Sequence, residues 1–100
     1  MRLVLLLLLL ASPAEAQTRG WTVDKCNRYG QSWAEALSRF GRAGLTEEFL
    51  ARNDAFLASG CQSRNVCPRS AQELAMADIM TVAAMNAGMA SSFVPFICRN

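Results

Sequence analysis

The stretch that most constrains the fold is Ser70–Cys98, in which Asp78 is the one charged side chain after Glu73. It opens with the spacing of a capping box, in which the Ser70 hydroxyl accepts a hydrogen bond from the Glu73 N–H and the Glu73 carboxylate reaches back. The residues that follow are apolar on nearly every face of a helix rather than along one stripe. A helix of this kind is surrounded by protein or by lipid.

Residues 79–97 carry no charge, and a segment of that length could span a bilayer. However, the segment is rich in Ala, Met, Ser and Gly rather than in Leu, Ile and Val, and it contains Asn86 and Pro95. The preceding part of the chain also predicts helices whose apolar faces need to be covered. We therefore predict a buried helix at the centre of a bundle, and no transmembrane span in the mature chain.

The N-terminus has the pattern of a secretory signal peptide. Arg2 precedes seven leucines and a valine in residues 3–10, and Pro13 and an A-x-A site at Ala14–Ala16 follow. This apolar run is much shorter than the roughly 20 residues of a spanning helix. We predict a signal peptide over residues 1–16, a flexible leader over 17–21, a single domain over 22–100, and export to the periplasm or the extracellular space.

Four cysteines lie in the exported part: Cys26, Cys61, Cys67 and Cys98. An even number of cysteines in a small exported domain predicts a disulfide framework, in which each bridge adds about 2–4 kcal/mol. A zinc site is disfavoured because the chain has no histidine and no C-x-x-C pair. We accordingly predict two disulfides, no metal site and no cofactor.

Two pairings of the cysteines fit the spacing. Cys61–Cys67 with Cys26–Cys98 would close a short loop and tie the ends of the domain together. Cys26–Cys61 with Cys67–Cys98 would staple two helical hairpins. The first is slightly favoured because a local loop closes at a smaller cost in chain entropy.

Helix signals divide the domain into three segments. Thr22 is suited to cap a first helix that ends before Gly41 and Gly44, and Thr46 is suited to cap a second that stops at residues 59–60. The third begins at Ser70 and ends near residues 87–88. Residues 90–98 form either a short fourth helix or an extended return. No segment alternates with period two, so we predict an all-α fold, a small three- to four-helix bundle stapled by two disulfides.

Several function classes fit this composition poorly. The arginines are scattered along the sequence, which disfavours a nucleic-acid interface. The absence of histidine removes the commonest general base, and we predict that the protein is not an enzyme. The favoured function is non-enzymatic binding of another protein, as an inhibitor, an immunity-type protein or an accessory protein.

The candidate binding residues lie in the C-terminal half: Asp78, Met85, Met89, Phe93 and Phe96. Asp78 is in line with apolar residues of the third helix, where it either forms an internal ion pair, lies exposed at a gap in the bundle, or recognises a partner. Two alternative functions remain. The Met- and Phe-rich half could carry an apolar ligand or bind a membrane surface, and the pairs Met76/Met80 and Met85/Met89 could bind Cu(I).

Overall fold

The computed structural model describes the backbone of residues 13–99 and the side chains of residues 20–99. Within this part the chain is all-helical, with three α-helices and no strand. The helices are α1 (Pro13–Phe40), α2 (Glu47–Ala58) and α3 (Ala71–Asn86), and a 3-10 turn at Ser91–Phe93 follows. The predicted fold class, a small helical bundle with two disulfides, is confirmed.

Helix α1 extends further toward the N-terminus than predicted. It begins at Pro13, so the predicted leader 17–21 lies inside it rather than forming a loose segment. Residues 17–21 contain no proline, and a single glycine, Gly20, does not break a helix. The predicted signal peptide overlaps α1 at residues 13–16, and residues 1–12 lie outside the described part of the chain. Its cleavage stays a prediction.

Thr22 lies inside α1, so its predicted role as the N-cap is wrong, whereas the other helix ends follow the predicted signals. Helix α1 stops at Phe40, and Gly41 and Gly44 adopt the left-handed conformation with φ of 75° and 80°. The Thr46 hydroxyl accepts from the Phe49 N–H at 3.1 Å and caps α2. At α3 both halves of the capping box between Ser70 and Glu73 are formed.

The disulfides are Cys26–Cys61 and Cys67–Cys98, so the slightly favoured pairing, Cys61–Cys67 with Cys26–Cys98, is wrong. Helices α1 and α2 form a hairpin that brings the Cα atoms of Cys26 and Cys61 within 5.6 Å. The tail after α3 returns in the same way, and the Cα atoms of Cys67 and Cys98 are 4.5 Å apart. The low entropic cost of a short loop is therefore outweighed by the helical hairpins, which place the other partners side by side.

The core lies where α1 and α2 meet α3 and the tail. Tyr29 and Phe56 are fully buried and pack edge to face, with ring centroids 5.1 Å apart. Phe93 of the 3-10 turn packs against both rings. Burial raises the pKa of Tyr29, whose hydroxyl donates to the buried Asn53 Oδ1 at 2.7 Å.

Helix α3 covers the core with one half of its surface. Its buried residues include Met76, Met80 and Ala84, and it packs mainly against α1 and the 3-10 turn. The opposite half faces solvent, so the prediction that α3 is enclosed by the bundle is wrong. The reason is the number of neighbours, since two other helices cannot surround a third. No described helix is long and apolar enough to cross a membrane.

The disulfide pairing can be tested by tryptic digestion without reduction. Cleavage after the basic residues places the four cysteines in four separate fragments, 26–28, 53–64, 65–69 and 70–99. The structure predicts that 26–28 is linked to 53–64 and that 65–69 is linked to 70–99. Free thiols are blocked before digestion to suppress thiol exchange, and mass spectrometry of the digest then measures these masses. Linkage of 53–64 to 65–69 would contradict the structure.

Candidate functional site

The exposed half of α3 is an apolar surface with one charge. Leu74, Asp78, Val82 and Met85 follow one another at spacings of four, four and three residues, which places them on one side of the helix. We call these four residues the outer face of α3. Leu74 is 51% exposed, Val82 57% and Met85 55%. The sequence showed the alignment of these residues, but it did not show that they face solvent.

Asp78 lies in the middle of this outer face and is exposed. Among the described residues, no hydrogen bond or ion pair engages its carboxylate. One expected role of Asp78 was an internal ion pair, and none is formed among the described residues. The structure matches the alternative of an exposed position. Its charge is available to a binding partner, surrounded by apolar side chains that strengthen an ion pair once water is excluded.

The other candidate binding residues belong to the core. Met89 is 4% exposed, and Phe93 and Phe96 are partly buried. Phe96 stacks on Phe49 with the ring centroids 6.2 Å apart. The five candidate residues thus divide into two sets, and Asp78 and Met85 alone share the outer face of α3.

Two shallow grooves lie between α1 and α3, and none of the four residues of the outer face lines them. Both are bordered by Phe40 and Ile79, and their volumes are about 130 and 160 Å³. Phe40 is 58% exposed at the end of α1. A second helix therefore also exposes a large apolar side chain.

A larger, polar pocket of about 370 Å³ lies between the beginnings of α2 and α3. Three arginines line it, Arg52, Arg69 and Arg99, and we call it the arginine pocket. Sequence reasoning missed this cluster because the three residues are far apart in the chain. The signal that could have located two of them is the Cys67–Cys98 disulfide, since Arg69 and Arg99 lie within two residues of its ends.

Glu73 forms the base of this pocket and connects the two helices. One carboxylate oxygen accepts from the N–H groups of Arg69 and Ser70 at 2.9 and 3.2 Å. The other accepts from the N–H and the hydroxyl of Thr46, both at 2.8 Å. Glu73 therefore completes the capping box of α3 and also binds the N-cap residue of α2. The sequence predicted the first of these roles and missed the second.

The ionisation of Glu73 follows from these contacts. The residue is 1% exposed, and burial on its own would raise the pKa of the carboxyl group. The hydrogen bonds from Thr46, Arg69 and Ser70 outweigh that effect and lower the pKa from 4.5 to about 2. The buried carboxylate keeps its charge because four hydrogen-bond donors replace the water molecules that would solvate it on the surface.

The region after Cys67 is held in place by further contacts of the same segment. The Ser70 hydroxyl donates to the Gly44 carbonyl at 2.6 Å, and a Cβ at Gly44 would lie 2.4 Å from the Gln72 side chain. The loop before α2 thus lies directly against the start of α3. Within residues 20–99, no group of three or more His, Cys, Asp or Glu side chains could hold a metal ion.

We predict that Glu73→Gln destabilises the fold in a pH-dependent manner. The folded-state pKa of Glu73 is lowered, so its contribution is complete above about pH 4.5 and is lost as the pH falls toward 2. A shift of that size corresponds to about 3 kcal/mol. Urea unfolding of the oxidised proteins from pH 7 to pH 2 measures their free energies of unfolding. The variant should be less stable than the wild type by this amount at neutral pH, and by a smaller amount in acid.

Glu48→Gln is the matched control. Its side chain is 71% exposed and pairs with Arg52 one turn away, so we expect the free energy of unfolding to change by about 0.5 kcal/mol or less. Equal destabilisation by both substitutions would contradict a special role for Glu73.

Comparison with known proteins yields no match: no protein-family model fits the chain, and no curated protein or solved structure is significantly similar to it. The function proposed below therefore rests on the geometry of this chain.

Proposed function

We propose that this chain is a small exported, non-enzymatic protein that binds another protein through the outer face of α3. The observation that carries the proposal is the exposure of Leu74, Val82 and Met85, each more than half exposed, on a helix whose other half is buried. Contiguous apolar surface of this kind is typical of interaction sites. A role as an inhibitor, an immunity-type protein or an accessory protein fits such a surface.

The packing of the core favours a protein partner over an internal apolar ligand. A carrier would enclose its ligand in a cavity lined by Met76, Met80, Met85 and Phe93. Met76 and Met80 are 3% and 0% exposed, while Met85 is 55% exposed on the other side of α3. Phe93 packs against Tyr29 and not toward Met85. These four side chains therefore do not line a common cavity.

The charge on the outer face favours a basic partner. Asp78 is the charged residue of this surface, and α3 contains no lysine or arginine. A helix that lies on anionic lipid carries basic residues around its apolar side. A second copy docked face to face would bring two Asp78 carboxylates together, which is unfavourable. We therefore expect a protein that presents apolar side chains and a lysine or arginine opposite Asp78, as in the docking of a helix into a groove.

Export is supported by two observations. Disulfides form and persist mainly in oxidising compartments, and the N-terminal residues have the pattern of a signal peptide. A binding partner is therefore expected in the periplasm or outside the cell.

A pair of valine substitutions tests the docking surface. Val82 and Val23 are similarly exposed, at 57% and 59%. Val23 lies on α1 and is not part of the outer face of α3. We predict that Val82→Asp weakens binding of a purified partner by tenfold or more, about 1.4 kcal/mol, and that Val23→Asp leaves it unchanged. The partner is first captured from the native periplasm on the oxidised domain, and its affinity is then measured by calorimetry.

The outcome also separates the alternatives. Equal loss of binding with both variants contradicts the proposal. It is also contradicted if the capture yields no protein that the wild type retains and Val82→Asp does not. Binding to phosphatidylglycerol vesicles, or dimerisation in sedimentation equilibrium, that is abolished by Val82→Asp in the absence of a protein partner would favour the membrane or the second copy instead.

A charge reversal tests the chemistry of the partner. We predict that Asp78→Lys weakens the same complex by tenfold or more, because a cation would then face the partner's basic residue. Asp54→Lys is the control, since Asp54 is an exposed carboxylate on α2. An unchanged affinity for Asp78→Lys would show that the partner is not basic at this point.

A further inference from the structure

The arginine pocket holds cationic side chains that the rest of the protein leaves without a counter-ion. Among the described residues, Arg28, Arg39 and Arg52 each pair with a carboxylate one turn away on the same helix. Arg69 and Arg99 have no such pair, and both line the arginine pocket. Of the four arginines in residues 20–99 without an ion pair, two therefore meet at one cavity, while Arg42 and Arg64 lie elsewhere.

The two carboxylates of the pocket, Glu48 and Glu73, neutralise only part of this charge, because three guanidinium groups against two carboxylates leave a net charge of +1. Glu73 stays charged, but its oxygens accept from Thr46, Arg69 and Ser70, all through backbone N–H groups or a hydroxyl, so it occupies none of the guanidinium donors. Glu48 is 71% exposed and contacts Nε of Arg52 at 3.0 Å, which leaves the two terminal NH₂ groups of that guanidinium for another acceptor. Guanidinium groups bind carboxylate and phosphate oxygens in a planar, two-point arrangement.

We propose that the arginine pocket binds a small anion with several carboxylate or phosphate oxygens, held by Arg52, Arg69 and Arg99. The volume of about 370 Å³ is in the range of small-molecule sites. Thr46, Ser70 and Glu73 already cap the helix ends at this site, so the arginines and not the helix amides provide the binding. The site shares no residue with the outer face of α3 and is independent of the function proposed above.

The disulfide Cys67–Cys98 gives the site its rigidity. It joins the segment before α3 to the C-terminal tail and so fixes Arg69 and Arg99 beside each other. The backbone N–H of Val66 donates to the Pro95 carbonyl at 3.0 Å, which adds a second link between the same two segments. Because the backbone at both arginines is held in advance, an anion has to order only their side chains when it binds.

The test uses the oxidised mature protein with citrate and inorganic phosphate as probes and glycerol as the neutral control, measured by calorimetry and by amide NMR shifts. We expect citrate or phosphate to shift the amide signals of Arg69 and Ser70. The double variant R69Q/R99Q should weaken this binding by tenfold or more, and added salt should weaken it further. Arg42→Gln, an exposed arginine in the turn between α1 and α2, should change the affinity by less than twofold.

Two results would overturn the proposal. One is an equal loss of affinity with Arg42→Gln, which would indicate general attraction to a basic protein. The other is no saturable binding of citrate or phosphate at millimolar concentration in low salt. Because Arg69 and Arg99 are exposed, both variants should keep the fold, and the thermal midpoint of each variant verifies this.

Discussion

The carboxylate of Glu73 is the interaction on which the arrangement of the helices depends. It accepts four hydrogen bonds, two from the segment that starts α3 and two from Thr46, the N-cap of α2. A buried charge with fewer donors would cost several kcal/mol. The two helix ends must therefore meet at this carboxylate, and any rotation of α3 that moved Glu73 away would leave the charge without partners.

This constraint determines which half of α3 is buried. With Glu73 directed at Thr46, residues one turn apart on the same side, such as Met76 and Met80, enter the core. The opposite side, which includes Val82 and Met85, is then left to solvent even though it is equally apolar. The hydrophobic effect alone would not distinguish the two halves of such a helix, so the polar contact supplies the orientation. The exposed half is the basis of the proposed protein-binding function.

Local features of the fold could be predicted from the sequence, and long-range ones could not. The capping box at Ser70, the Thr46 cap and the glycines after α1 are contained within a few residues, and the structure confirms them. The disulfide pairing was predicted incorrectly because loop entropy was weighed without the hairpin geometry. The contact of Glu73 with Thr46 spans 27 residues and leaves no periodic signal in the sequence. The same is true of the arginine pocket, which a disulfide assembles.

This arrangement of the helices requires Glu73 to be ionised and fully hydrogen-bonded at the junction of α2 and α3. The most direct measurement is a ¹³C NMR titration of the Glu73 side-chain carboxyl carbon in the oxidised, folded protein. We expect a midpoint at about pH 2, the value to which the four hydrogen bonds lower the pKa of Glu73. A midpoint near 4.5, the ordinary value, would mean that these donors do not hold the carboxylate and that Glu73 does not orient α3.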